Sequence, residues 1–312
     1  MLDVRRLRIL QHLAAYGTVA ATAEALHLTP PAVSQHLAAL QKEAGTPVVE
    51  KQGRTLRLTA AGELLVAHAE IILAELAAAE SGLASLRSGR RGIVRITAFA
   101  SAARTLVVPL WQRLADTDTA PELSLRLSVQ EPDQALDELH KRSTDLALVH
   151  SYTVLPRSFP AAYEQTLLME EPVLLALHLR QADELGLRPG RPVDLSRTAD
   201  MPWLTPGPET SCYEMIQRAC GAAGFVPDIR ARSSDFAVLA ALVAAGAGIA
   251  LIPRMALPDA TELLSLHPLL HPVSRSVFTV SRAGTSKHPD LRRVRQLLHD
   301  SAAATGTSHK RT

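Results

Sequence analysis

A run of small polar side chains with almost no charge is the part of this sequence best suited to recognition chemistry. Ser34, Gln35 and His36 follow one another, while Val33 and Leu37 recur at helical spacing between them. A helix with this pattern buries its apolar residues and presents uncharged donors and acceptors on the other face. Such a face suits the floor of a DNA major groove, where each base pair offers its own donors and acceptors. The pattern therefore predicts a helix that reads bases.

Basic residues follow this predicted helix after a short interval. Lys51, Arg54 and Arg57 surround Gly53, which favours a tight turn. A basic hairpin of this kind could contact phosphates, which contribute most of the affinity of DNA-binding proteins. The whole chain carries a net charge of only +2, so no global basic field accompanies the hairpin.

The elements that would position these side chains can be predicted from caps and turns. A short alanine-rich helix covers residues 20–26, and a turn follows at His27 and Leu28. Thr29 is a typical N-cap, and Pro30 and Pro31 occupy the first turn of the next helix, where a missing N–H costs nothing. We predict that Thr29, Pro30 and Pro31 approach the groove together with the polar face of that helix.

A long helix is predicted over residues 60–86. Its apolar residues are spaced alternately four and three apart, and glutamates flank them, which is typical of a coiled-coil seam. The seam comprises Leu65, Ala69, Ile72, Leu76, Ala79, Leu83 and Leu86. We predict that it joins two chains in a symmetric dimer, which would present two recognition helices to a two-fold related DNA site. The alternative is a helix that packs against its own domain.

Beyond a polar, basic boundary at residues 88–92, predicted strands alternate with predicted helices. This alternation implies parallel sheets with crossover helices. Strands are predicted at 93–99, 123–129, 145–149, 172–177, 248–252 and 276–281, and helices at 101–115, 131–141, 210–223, 235–246 and 288–300. The final residues, 301–312, are predicted to be a disordered tail.

A small-molecule site is predicted where predicted strands end. Ligands of open α/β sheets bind beyond the carboxyl ends of strands, often at helix N-termini. Ser101, Gln130, His150 and Thr205 lie in loops at such positions. Hydroxyls and free N–H groups at facing helix starts would suit a small anion such as a carboxylate, although no Arg or Lys stands out as its partner. Alternatively, Ser101 and Thr205 are ordinary N-caps.

Residues 7–62 resemble the winged helix-turn-helix of LysR-type transcriptional regulators. The resemblance is carried by Leu7-Arg8-Ile9-Leu10, Gly17-Thr18-Val19, Ala23-Glu24-Ala25-Leu26-His27-Leu28-Thr29, Pro31-Ala32-Val33-Ser34-Gln35, Glu50-Lys51-Gln52-Gly53-Arg54 and Leu56-Arg57-Leu58-Thr59-Ala60-Ala61-Gly62. The rest of the chain also follows the layout of that family.

The resemblance implies an α+β multidomain protein with three parts. These are a winged helix-turn-helix DNA-binding domain (1–59), a dimerising linker helix (60–87) and an α/β effector-binding domain like a periplasmic binding protein (92–300). The last would comprise subdomain I (92–165 and 268–300) and subdomain II (166–267). It also implies dimers or tetramers that bind double-stranded DNA, a small-molecule effector held partly by Ser101 and Thr205, and recruitment of RNA polymerase through altered DNA bending.

Enzyme and membrane functions find little support in the sequence. We find no Gly-x-Ser-x-Gly elbow, phosphate-binding P-loop or His-Glu-x-x-His motif, and we predict no cofactor. His267 and His271 lack a nearby carboxylate or cysteine, so we predict no metal. No apolar run reaches the roughly 20 residues that a membrane span needs, and no signal peptide is visible, so we expect a cytoplasmic protein.

The two cysteines could form a redox pair, because one branch of the family senses peroxide in this region. Cys212 and Cys220 are eight residues apart on a predicted helix, which is about 12 Å and too far for a disulfide. We therefore expect both side chains to serve packing.

One alternative function remains open at this point. The chain could be a small-molecule-binding protein whose helix-turn-helix no longer reads DNA. The uncharged polar helix face and the basic hairpin argue against it. Salt dependence separates the two hypotheses, because phosphate contacts weaken steeply as ionic strength rises.

Overall fold

The computed structural model describes residues 1–52, 55–88, 92–115, 123–160 and 162–308. Three helices and a two-stranded hairpin form the N-terminal part, and a long helix leaves it. These elements are α1 (Val4–Tyr16), α2 (Val19–Ala25), α3 (Pro30–Ala44), β1 (Val49–Gln52), β2 (Thr55–Leu58) and α4 (Ala60–Ser88). The order agrees with the helices and hairpin predicted for residues 20–86.

A mixed arrangement of strands and helices makes up the rest of the chain. In chain order it contains β3 (Gly92–Ala98), α5 (Ala100–Ala102), a π-helical turn (Ala103–Val107), α6 (Val108–Ala115), β4 (Leu123–Val129), α7 (Pro132–His140), β5 (Leu146–Tyr152), β6 (Tyr163–His178), α8 (Leu179–Glu184), a 3-10 turn (Leu195–Thr198), β7 (Pro202–Thr205), α9 (Ser211–Ala222), β8 (Asp228–Arg232), α10 (Phe236–Ala244), β9 (Ala250–Pro253), a 3-10 turn (Arg254–Ala256), β10 (Leu264–Pro268), β11 (Ser274–Arg282), a 3-10 turn (Thr285–Lys287) and α11 (Pro289–Ser308).

The N-terminal core forms beneath α3 as its periodicity predicts. Val33, Leu37 and Leu40 are buried and pack with Leu10 of α1 and with Val48. The predicted cap is also confirmed: the Thr29 hydroxyl accepts a hydrogen bond from the Ala32 N–H at 3.4 Å. The polar face of α3 is therefore held outward by the packing on its other side.

The first part of α4 packs against its own N-terminal domain, which corrects the predicted dimer seam. Ala69 is fully buried in the core shared with α1, Leu73 is buried beside it, and Leu65 packs against the same core. Ala69 is therefore not available to a partner chain, while Leu65 remains only partly exposed. The exposed apolar residues of the helix include Ile72 and Leu76, as predicted, and also Leu64 and Ile71. The side chain of Leu83 lies outside the described part of the structure.

The main sheet is mixed rather than parallel. Seven strands take part, in the order β10-β6-β11-β5-β3-β4, with β9 also paired to β6. Only the pairs β3–β4 and β3–β5 of this sheet are parallel, while β6, β9, β10 and β11 pair in antiparallel fashion. The alternation rule fails here because β6 pairs in antiparallel fashion with β9, β10 and β11, all of which are distant from it in the sequence.

Strand β6 links two separate hydrophobic cores. Its first part, up to Pro172, pairs with β11, and its last part, from Val173, pairs with β9 and β10. One core lies under β3, β4 and α11, and includes Ile96 and Leu298. Another contains Trp203 and the buried residues of α9. The carboxyl ends of β3 and β5 point toward the cleft between the two.

The C-terminal segment is helical where we predicted disorder. Helix α11 continues to Ser308, and Ser301 and Ala302 are buried. Ala302 contributes to the same core as Leu298, and the Ser301 hydroxyl donates to the Leu297 carbonyl. The helix therefore continues because one face of this segment still has a core to cover. Among the described residues, no helix is both long and apolar enough to cross a membrane.

Candidate functional site

The predicted base-reading face of α3 lies on the surface. Ser34 and Gln35 are exposed, and His36 is half-buried. The Ser34 hydroxyl donates to the Pro30 carbonyl at 3.1 Å, so it has a local partner, while Gln35 makes no hydrogen bond to another described side chain. Gln41, further along α3, has a structural role, because its Oε1 accepts the N–H groups of Val48 and Val49 and holds the hairpin against α3.

The basic residues of the hairpin do not all project in one direction. Arg57 lies directly opposite Glu50, whereas Lys51 lies opposite Leu56. Because successive side chains of a strand alternate between faces, Lys51 and Arg57 are on opposite faces. Leu56 packs against the core, so Arg57 is on the outward face, and Lys51 is exposed at the tip of the other. Arg54 lies outside the described residues.

A buried ion pair lies at the end of β3, where the effector was predicted to bind. The Arg275 guanidinium is 1% exposed and donates through Nε to Glu171 at 2.7 Å. Its Nη2 donates to the Ser101 hydroxyl at 3.1 Å, and its Cζ lies 5.0 Å from the centre of the Phe99 ring. Burial alone would lower the pKa of Arg275, but the Glu171 carboxylate raises it overall, so the arginine stays charged.

Arg275 is the main functional candidate that sequence reasoning missed. No motif marks it, and Glu171 lies 104 residues away in the sequence. Ser101 is buried as well, but it does not cap its helix: the N-cap position is Phe99, which has no side-chain cap. The N-cap alternative for Ser101 is therefore wrong, and the hydroxyl serves the arginine instead.

His150 connects the two sides of the cleft. It lies within β5 rather than in a loop after it, and its Nε2 is 3.0 Å from the Ser211 hydroxyl of α9. Burial and the nearby charges of Arg275 and Arg157 hold its pKa well below the usual value of 6.5, so the ring is neutral at pH 7. Its Nδ1 is buried without a hydrogen-bond partner among the described residues.

Two adjoining cavities lie beside the contact between His150 and Ser211. The inner one, of about 30 Å³, is lined by residues that include Ser101, Tyr152, Cys212 and Arg275. The outer one, of about 380 Å³, shares His150 and Tyr152 with it and is also lined by Ser211. The inner volume is close to that of one water molecule, while the outer volume is in the range of ligand pockets.

Acidic side chains surround this cleft. Glu131 lines the inner cavity, and Asp133 and Glu209 line the outer one. Burial raises the pKa of Glu131, and the carboxylates of Asp133 and Glu209 raise it further against the opposing effect of Arg275. Since Arg275 is already neutralised by Glu171, the cleft offers acceptors for positive or hydrogen-bond-donating groups as well as one guanidinium.

Two of the predicted cleft residues, Thr205 and Gln130, do not line either cavity. Thr205 ends β7 and is fully buried, and its hydroxyl has no partner among the described residues. It caps no helix, because Thr210 is the N-cap of α9. Gln130 lies one residue before Glu131 and does not line either cavity. Thr210 and Ser211 supply the hydroxyls expected from Thr205, because they stand at the start of α9, which begins close to its predicted position, whereas Thr205 ends β7.

The cysteines and His267 serve packing and local hydrogen bonds. Burial raises the pKa of Cys212 to about 11 and that of Cys220 to about 12, so both remain thiols at neutral pH. His267 is fully buried, with Nε2 2.8 Å from the Ser265 hydroxyl and Nδ1 3.2 Å from the Arg191 carbonyl. Both of its ring nitrogens therefore have partners within the protein.

Comparison with known proteins gives two matches to families that cover most of the chain. Residues 4–63 match the family described as "Bacterial regulatory helix-turn-helix protein, lysR family", and residues 87–303 match "LysR substrate binding domain". The chain is 26% identical to the nitrogen assimilation regulatory protein nac of Klebsiella aerogenes, covering 82% of this chain and 79% of that protein.

Two further similarities extend over almost the full length. The HTH-type transcriptional regulator CbbR of Rhodospirillum rubrum is 27% identical, covering 92% of each chain. The crystal structure of ArgP from Mycobacterium tuberculosis superimposes with a TM-score of 0.63 at 20% identity, covering 97% of this chain and 98% of that one. The structural likeness concerns the fold.

Proposed function

This chain belongs to the LysR family of bacterial transcriptional regulators, and we propose that its DNA binding is modulated by a small carboxylate held in the cleft beside Arg275. As members of this family do, it binds DNA through its helix-turn-helix and carries an effector-binding domain. The regulator acts on duplex DNA in the cytoplasm and has no enzymatic role.

The DNA-reading proposal is carried by the exposed, uncharged face of α3. Gln35 can make two hydrogen bonds to one base edge, and Ser34 can make another. Thr29, Pro30 and Pro31 form the exposed start of the same helix, and His36 lies at the border of the face. Lys51, Arg54 and Arg57 hold phosphates and fix the register on the duplex.

The effector proposal is carried by the contacts that converge on the cleft. A carboxylate that replaces water beside Ser101 can approach the Arg275 guanidinium, which remains charged. Glu131, Asp133 and Glu209 favour an effector that also carries hydrogen-bond donors. The class proposed is therefore a small amino or hydroxy acid rather than a simple fatty acid.

The two sides of the cleft act as two subdomains hinged at β6. The pairing of β6 supports a boundary at residues 172 and 273, so we place 92–172 and 274–300 on one side and 173–273 on the other, with His150 and Ser211 facing each other across the gap. A ligand that draws the sides together changes the angle between chains of a dimer or tetramer. That change alters DNA bending and access for RNA polymerase.

A ligand screen tests the effector class. We expect 2-amino or 2-hydroxy acids to raise the melting temperature of the full-length protein, and Ser101→Ala to weaken the active compound at least tenfold. Ser196→Ala, an exposed serine outside the cleft, is the matched control and should bind as the parent does. Equal affinity of both variants for the active compound would contradict the assignment.

A further inference from the structure

Apart from the inner and outer cavities of the effector cleft, a further cavity lies at the opposite end of the same sheet. Its volume is about 430 Å³, and its lining includes four arginines: Arg95, Arg126, Arg142 and Arg282. The effector cleft begins at the carboxyl ends of β3 and β5, whereas this cavity lies along the amino-terminal halves of β3 and β4 and the turn that precedes β5. The two cavities share no lining residue.

The sheet register places three of these charges in a row. Arg95 of β3 lies directly beside Arg126 of β4. On its other side, Arg95 binds Asp145 through two hydrogen bonds, from Nε at 3.0 Å and from Nη2 at 2.8 Å. Arg282, the last residue of β11, reaches the same carboxylate with Nη2 at 3.6 Å. One carboxylate therefore serves two guanidinium groups, and Arg126 has none within this row.

Arg142 adds a fourth positive charge without a direct partner. It lies in the turn between α7 and β5 with a φ of 62°, and its guanidinium makes no hydrogen bond or close ion pair within the described residues. Partial burial, together with the charges of Arg282 and Arg8 and against the opposing charge of Glu70, lowers the pKa of Arg142 to about 10. Repulsion among these arginines thus accumulates at one wall of the cavity.

The remaining charges do not balance the arginines. Asp290 is the only other carboxylate in the lining, so the lining arginines exceed the lining carboxylates by two. Arg282 is nine-tenths buried, and its Nε has no hydrogen-bond partner among the described residues. A positively charged cavity of this size is stabilised when a multiply charged anion enters it.

We propose that this arginine-lined cavity, here called the second site, binds a small phosphorylated metabolite with at least two negative charges. Guanidinium groups match phosphate oxygens in a planar, two-pronged geometry, and several in one cavity favour phosphate esters over single carboxylates. The volume exceeds what inorganic phosphate alone requires and admits a metabolite of sugar-phosphate size.

The second site lies next to helices α4 and α1, so a ligand bound there can influence the DNA-binding half of the chain. Arg142 is close enough to Glu70 of α4 and Arg8 of α1 for both charges to shift its pKa. The 3-10 turn that supplies Thr285 to the lining begins after Gly284, where a Cβ would come within 3.3 Å of Ile71 on α4. A bound anion removes repulsion at this junction and so favours one arrangement of the linker helix against the effector domain.

Calorimetric titration of the full-length protein with inorganic pyrophosphate tests this proposal. Ionic strength is held constant with sodium chloride. We expect saturable binding of one pyrophosphate per chain, weakened at least tenfold by Arg142→Ala and by Arg126→Ala. Arg126 is exposed at the edge of the sheet, so its removal leaves the core intact. Arg188→Ala removes an exposed arginine elsewhere and should bind as the parent does.

Two outcomes would overturn the second site. These are the absence of saturable binding, and equal affinity in the Arg126→Ala, Arg142→Ala and Arg188→Ala variants. Ser101→Ala should leave pyrophosphate binding unchanged. Failure of the cleft proposal and failure of the second site are therefore distinguishable.

Discussion

At the scale of single residues, the Arg275–Glu171 pair is the feature on which the cleft depends most. Both side chains are almost fully buried, and Glu171 also accepts the N–H of Met255. A buried pair of charges contributes little net stability compared with an apolar pair, but removing one partner leaves the other charge uncompensated. A cleft that contains the buried Arg275 therefore also needs the Glu171 carboxylate to balance its charge.

Glu171→Ala is expected to destabilise the protein by about 3–5 kcal/mol, because it leaves Arg275 buried without its counter-ion. The matched control is Glu170→Ala, which removes the neighbouring, exposed carboxylate and its single hydrogen bond to Ser276. Urea unfolding measures both changes. Similar losses in the two variants would show that the buried pair has no special role.

His150 predicts a dependence of stability on pH. Its pKa in the folded protein lies below 6.5, so the unfolded chain binds the proton more readily. The stability that His150 contributes is therefore present above pH 6.5 and is lost as the pH falls below that value. We expect His150→Asn to reduce the loss of melting temperature between pH 7.5 and 5.5. His140→Asn, on an exposed helix end, should keep the parent slope.

We expect substitutions of base-reading residues and of phosphate-binding residues to affect DNA binding differently. Gln35→Ala should cost about 1–3 kcal/mol on the preferred operator and relax the preference at particular base pairs. Arg57→Ala, and likewise Arg54→Ala, should weaken binding similarly on all sequences and reduce the salt slope by about one. Fluorescence anisotropy on operator and random duplexes separates them, and identical loss patterns for Gln35→Ala and Arg57→Ala would contradict these roles.

At the scale of elements, we expect helix α4 to carry the dimer contact on a revised set of residues. Leu64, Ile71, Ile72 and Leu76 are exposed apolar residues and form an apolar stripe along the helix. We propose that these side chains pack against a second chain, as in a coiled coil.

Leu76→Glu places a charge in this stripe and is expected to shift the protein toward monomers. Glu63→Lys changes the charge of an exposed residue off the stripe and should leave the assembly unchanged. Light scattering coupled to size-exclusion chromatography measures both. A Leu76→Glu protein with the parent mass at micromolar concentration would exclude this face as the interface.

Local elements were predictable where their signals lie within a few residues. The cap at Thr29, the buried Val33 and Leu37, and strand β4 follow from nearest-neighbour spacing, and the structure confirms them. Long-range pairing was not predictable. Strand β6 is antiparallel to β11, and the Arg275–Glu171 pair exists only because these strands meet. Helix α11 extends beyond its predicted end because a distant core covers one face.

At the scale of the whole molecule, the effector cleft and the second site lie at opposite ends of one sheet. The effector cleft opens at the carboxyl ends of β3 and β5, and the second site lies toward α4. A ligand in the cleft acts on the angle between subdomains, while a ligand in the second site acts on the joint with the linker helix. The two inputs would therefore reach the DNA-binding half through different contacts.

Selection of sheared host DNA by the purified protein is the most direct test of the central proposal. Retained fragments are sequenced at moderate salt, with Gln35→Ala as the parallel sample. We expect the parent to enrich a few fragments that share an interrupted, two-fold symmetric site, and Gln35→Ala to lose that preference while still retaining DNA. A folded, dimeric parent that enriches nothing over random fragments would contradict sequence-specific regulation by this chain.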